Sequence, residues 1–141
     1  MKILIPVDGS GSANRAVDQV IATASLLKEA PQILLLNVQW NIASGNVKLF
    51  INRKTIDDYY RDEGLAALKV AREKLDAAGL PYIYHISIGT PAEAIVQYAQ
   101  EQQVDQIAMG AQGQNVLSAL LLGSVVNKVL HLATVPVLLV K

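Results

Sequence analysis

The chain alternates short, unbroken apolar runs with longer stretches in which apolar residues recur every three or four positions. The runs are Lys2–Val7, Ile33–Trp40, Tyr82–Ile88, Asp105–Met109 and Pro136–Val140. Brief continuous runs of this kind are what strands buried on both faces of a parallel sheet require. Between them, Ala13, Ala16, Val17, Val20, Ile21, Ala24 and Leu27 mark an amphipathic helix of about four turns, ended by Pro31. Ile56, Tyr60, Ala67, Leu68, Ala71, Leu75 and Ala78 predict a second helix, stopped by Gly79 and Pro81. Thr90-Pro91-Ala92-Glu93 reads as a capping box with proline at the first helical position, opening a third helix with Ala92, Ile95, Val96 and Ala99 inward. Val125–Ala133 is the fourth.

The resulting β-α-β-α-β-α-β-α-β alternation predicts an α/β fold: an open five-stranded parallel sheet with helices on both faces. Right-handed crossovers favour the strand order 3-2-1-4-5, in which the winding reverses between strands 1 and 4. Ligands in such sheets bind beyond the carboxyl ends of the strands at that reversal. Asp8-Gly9-Ser10 leaves strand 1 there, and Gly110 leaves strand 4. The connection Asn41–Lys54 fits no period, and loops of that length are usually functional or mobile.

Composition narrows this picture. A chain of 141 residues fits one domain, 1–141, and its 52% hydrophobic content supplies a large core. Formal net charge is zero, which argues against a nucleic-acid or anionic-membrane surface. Cysteine is absent, excluding disulfides and thiolate metal sites. Pro6 and Asp8 interrupt the first apolar run before it could serve as a signal peptide, and no run approaches the ~18 residues of a membrane span. The expected location is the cytoplasm.

The strongest chemical signal is Gly110-x2-Gly113-x9-Gly123-Ser124. Glycines stand at a strand exit, in a loop and at a helix start, and a hydroxyl follows the last. Unpaired N–H groups at the positive end of a helix dipole make an anion site. The competing reading is a turn glycine, a loop glycine and a packing glycine within one helix from Leu117 to Leu132. The stretch is not a P-loop, since Lys-Ser/Thr does not follow the glycines, and it lacks GxGxxG. His85 and His131 fall where structural roles suffice, Tyr59 and Tyr60 read as packing and surface residues, and Ser10 does not fit a nucleophile elbow.

With its flanks, the glycine pattern resembles the ATP-binding signature of the universal stress protein family. ILIPVDGS is similar to that family's first strand and acidic turn, Ile33–Val38 to its second strand, Gly89-Thr90-Pro91 to its third-strand exit, and GSVVNKVLHLATVPVLLVK to its closing helix and strand. The resemblance implies a Rossmann-like fold of the adenine nucleotide alpha hydrolase type, binding ATP or AMP, with or without magnesium. It implies that Pro6, Val7 and Val38 line the adenine and that Asp8 meets the ribose or adenine side. Met109 and Gly110 would sit beside the sugar, with Gly113, Gly123, Ser124 and Val125 on the phosphates. It also implies a homodimer through strand 136–140, whose uncharged edge would otherwise be an aggregation hazard.

ATP-binding members of the family it resembles often carry histidine or basic residues where this chain has Gln112 and Gln114, so moderate affinity and weak discrimination of phosphate number are expected. The expected role is a stress sensor or regulator with little or no catalysis, read by an unknown protein partner. The alternatives are a slow ATPase or phosphotransfer enzyme using Asp8, or a dimeric scaffold with a vestigial pocket. A receiver-type phosphoacceptor would need an acidic pair after strand 1 and an aspartate ending strand 3, and the chain has neither. Trp40, beyond the adenine wall, is expected to report binding by fluorescence.

Overall fold

The computed structural model describes residues 1–42, 52–113 and 121–141. Gln114 and most of the 41–54 connection lie outside the described residues. The elements are β1 Lys2–Pro6, α1 Gly11–Ala24, β2 Gln32–Gln39, α2 Arg53–Ala77, β3 Tyr82–Ile88, α3 Pro91–Glu101, β4 Gln106–Gly110, α4 Ser124–Leu132 and β5 Val137–Val140. All strands are parallel and ordered β3-β2-β1-β4-β5, as the alternation predicts. The sheet therefore reverses its winding between β1 and β4.

Two cores lie on opposite faces of the sheet, and alternation along each strand explains their membership. Ile3, Ile5 and Val7 of the first strand segment pack with Ala13, Ala16, Val17 and Val20 of α1 and Leu68, Ala71 and Leu75 of α2. Leu4, Leu34, Leu36 and Met109 pack with Ile95, Val96 and Ala99 of α3 and Val126 and Val129 of α4.

Local chemistry shifts two helix boundaries and leaves one expected cap unformed. The helix predicted to reach Leu27 ends at Ala24, because the Ser25 hydroxyl donates to the Ala22 carbonyl and the next bonds are three-residue turns. Helix α2 starts at Arg53, ahead of the predicted Ile56, because the Asn52 side chain accepts from the Lys54 N–H at 2.9 Å. The Thr90–Glu93 capping box is not formed: Thr90 occupies the cap position without a side-chain bond, while Glu93 pairs with Lys128 of α4.

The edges differ. Strand β5 is half-buried throughout. On β3, Ile83, Tyr84 and Ile88 are exposed, with Arg72 of α2 over the Tyr84 ring at 4.5 Å and Tyr98 of α3 stacked on His85 at 5.3 Å. His85 is thus an edge-strand stacking residue.

Candidate functional site

The site is built where β1 and β4 end. Asp8 accepts from the Ser10 N–H at 2.9 Å, a short turn that Gly9 permits with φ of 83°. Ser10 then caps α1, its hydroxyl accepting from the Ala13 N–H at 3.1 Å.

On the other side, β4 runs into Ala111, whose N–H donates to the Val140 carbonyl at 2.8 Å. The chain returns at Gly123, whose N–H donates to the Ala111 carbonyl at 3.0 Å. A Cβ at Gly123 would stand 3.2 Å from the Gly113 nitrogen, and one at Gly113 would stand 3.3 Å from Oδ2 of Asp8. Asp8, Gly113 and Gly123, dispersed in sequence, are therefore brought into one cluster at the winding reversal. Gly123 is the N-cap of α4, not an interior residue of a helix that continues through it. Any side chain at Gly113 or Gly123 would begin to fill the space between the acidic turn and the helix start.

The helix starts are not equivalent. Those of α1 and α2 are closed by the Ser10 and Asn52 side chains. That of α3 begins with Pro91, which has no N–H to offer. Helix α4 has glycine at its cap position, so its first-turn N–H groups, at Ser124 and Val125, donate to no capping side chain. Ser124 adds an exposed hydroxyl.

The remaining predicted residues divide by face. Val38 and Met109 pack with the α3/α4 core, and Val7 packs with the α1/α2 core. Pro6 is buried one position before Val7, on the face of Leu4 by alternation. A single wall cannot use the side chains of both Val7 and Val38. Gly110 is buried and has a packing reason to be glycine: a Cβ there would lie 2.4 Å from the Oγ and carbonyl carbon of Ser12. Trp40 is 62% exposed just past β2. Tyr60 is buried and its hydroxyl accepts from the Ile42 N–H at 2.8 Å, while Tyr59 is exposed.

Two residues near the site escape the sequence reading. Asn37 is 2% exposed in an otherwise apolar strand; its amide donates to the Val7 carbonyl at 2.8 Å and its oxygen accepts from Gln39 at 2.6 Å. The interruption of ILLL by Asn is the signal that marks it. Ser12, 6% exposed, accepts from the Gln112 N–H at 3.2 Å through its hydroxyl. Among the described residues no three His, Cys, Asp or Glu side chains gather as a metal site, and no helix is long and apolar enough to cross a membrane.

Similarity to known proteins runs over nearly the whole length of the chain. Universal stress protein YxiE of Bacillus subtilis is 30% identical over 99% of this chain and 98% of its own. The solved structure of MJ0577, a universal stress protein of Methanocaldococcus jannaschii, superposes with a TM-score of 0.84 at 31% identity, covering 99% of this chain and 94% of that one. A universal stress protein family protein of Arabidopsis thaliana, solved with AMP bound, shares the fold with a TM-score of 0.66 at 22% identity, covering 100% and 91%. The model of the universal stress protein family matches residues 1–141, and this chain belongs to that family.

Proposed function

We propose that the chain binds an adenine nucleotide, ATP or AMP, at the β1–β4 reversal, and serves as a stress-responsive sensor or regulator with little or no catalysis. The observation that carries this reading is the meeting of Asp8, Gly113 and Gly123 beside the one helix start left without a side-chain cap or proline among the described residues. The Asp8 carboxylate would accept from ribose hydroxyls. Pro6, Val38 and Met109 would border the base and sugar, with Val7 and Gly110 contributing backbone. Gly113, Gly123, Ser124 and Val125 would offer N–H groups, and Ser124 its hydroxyl, to phosphate oxygens. Membership of a family with an AMP-bound representative supports the ligand class.

Gln112 and Gln114 bring no charge. A hydrogen bond from a cation to phosphate is worth roughly 1.5–3 kcal/mol against about 1 for a neutral pair, so affinity should rise little with phosphate number. Magnesium would be held through phosphate oxygens, with Asp8 the nearby carboxylate. A homodimer formed through β5 would cover that uncharged edge; a native mass of one chain at micromolar concentration refutes it.

The test is to heat-denature protein purified without added ligand and chromatograph the supernatant. Adenine nucleotide approaching one per chain supports the reading, and its absence favours a scaffold. Excess ATP-magnesium should release phosphate slowly or not at all. Rapid release abolished by Asp8→Ala would replace the sensor with an enzyme.

A further inference from the structure

Ser12 is none of the residues assigned above to a ligand, yet it ties the first turn of α1, which follows the Asp8 turn, to the exit of β4. Its hydroxyl accepts from the Gln112 N–H at 3.2 Å. Its carbonyl oxygen lies 2.5 Å from where a Gly110 Cβ would be. Backbone and side chain of one residue thus grip the strand-to-loop transition of β4 at two points. Gln112 leads directly to Gly113, which packs beside Asp8. Asp8 in turn is bonded to Ser10, two residues before Ser12 at the start of α1. The contacts close a ring, Asp8–Ser10–Ser12–Gln112–Gly113–Asp8, joining segments about a hundred residues apart.

We infer that Ser12 is a positioning residue: its hydroxyl latches the exit of β4 to the first turn of α1 and so holds the glycine loop in register with Asp8. The inference rests on the nucleotide reading of the site for its functional consequence. Without the latch the N–H of Gln112 loses its acceptor and the loop gains freedom that a bound phosphate must then remove. The side chain is buried, and its hydroxyl bonds the residue just before Gly113, so its loss should fall on the phosphate half.

Alanine at position 12 preserves most of the volume and suits a helix, so Ser12→Ala tests the hydroxyl itself. The first readout needs no ligand: amide hydrogen exchange at Gln112 should quicken about tenfold while the core strands keep their protection. The second compares ligands: AMP and ATP affinity should fall roughly three- to tenfold, the range one hydrogen bond spans, with adenosine affinity unchanged. Unaltered exchange at Gln112, equal loss of adenosine and AMP, or a variant that does not fold would each overturn the assignment. If the wild-type chain binds no nucleotide, the nucleotide reading fails separately, and the Gln112 exchange rate alone decides the latch.

Discussion

Gly110 offers the sharpest structural test, because its replacement meets backbone. In Gly110→Ala the new Cβ would stand 2.4 Å from the Ser12 carbonyl carbon and Oγ and 2.5 Å from its carbonyl oxygen. Both segments belong to regular elements, β4 and the first turn of α1, so relief requires moving a strand against a helix. Overpacking of this kind costs about 1–3 kcal/mol.

Gly64→Ala supplies the control. Its Cβ would be equally crowded, 2.6–2.8 Å from Ile86, but the atoms met are the side chain of a half-buried residue. Ile86 can rotate away, and alanine in a helix interior recovers about 1 kcal/mol over glycine. The two variants, similar by distance, should therefore part company. With a urea slope of about 1.5 kcal/mol/M, Gly110→Ala is expected to lower the unfolding midpoint by roughly 0.7–2 M, and Gly64→Ala by less than about 0.5 M. A Gly110→Ala midpoint within about 0.3 M of wild type would refute the reasoning, as would equal damage from both.

Three further outcomes follow from named contacts. Asn37→Ala leaves the Val7 carbonyl and the Gln39 amide without their partner, and should cost about 1–3 kcal/mol by urea unfolding. The Lys128 ammonium, bonded to the Glu93 carboxylate, holds its pKa below the ordinary 4.5. Folding therefore gains stability from Glu93 above that value and loses it as pH falls through the lowered folded pKa, so the stability gap between wild type and Glu93→Gln should narrow on acidification below about pH 4.5. Trp40 emission should shift on nucleotide saturation, and unchanged spectra would place the ligand away from the end of β2.

The order of the sheet was legible because each strand is a continuous apolar run and each helix carries a three-to-four period. Tyr82–Ile88 matches β3 at both ends. Helix ends were less legible, since Ser25 and Asn52 decide them through single hydrogen bonds that the apolar period does not record. Thr90–Glu93 carries the capping pattern, but Glu93 is drawn to Lys128, a partner visible only once α3 and α4 pack together. Gly113 and Gly123 lie near Asp8 because the strand order brings the ends of β1 and β4 together. Ser12 escapes the sequence reading, because its bond spans a hundred positions. Val7 and Val38 looked like one wall until the pleat put their side chains on opposite faces.

Titration calorimetry of AMP and ATP against the wild-type chain and Asp8→Ala tests the central claim most directly. Saturable heat at one nucleotide per chain, of similar affinity for both ligands and lost in Asp8→Ala, is the expected result. No heat from the wild type with either nucleotide, with or without magnesium, or binding undiminished in Asp8→Ala, would contradict it.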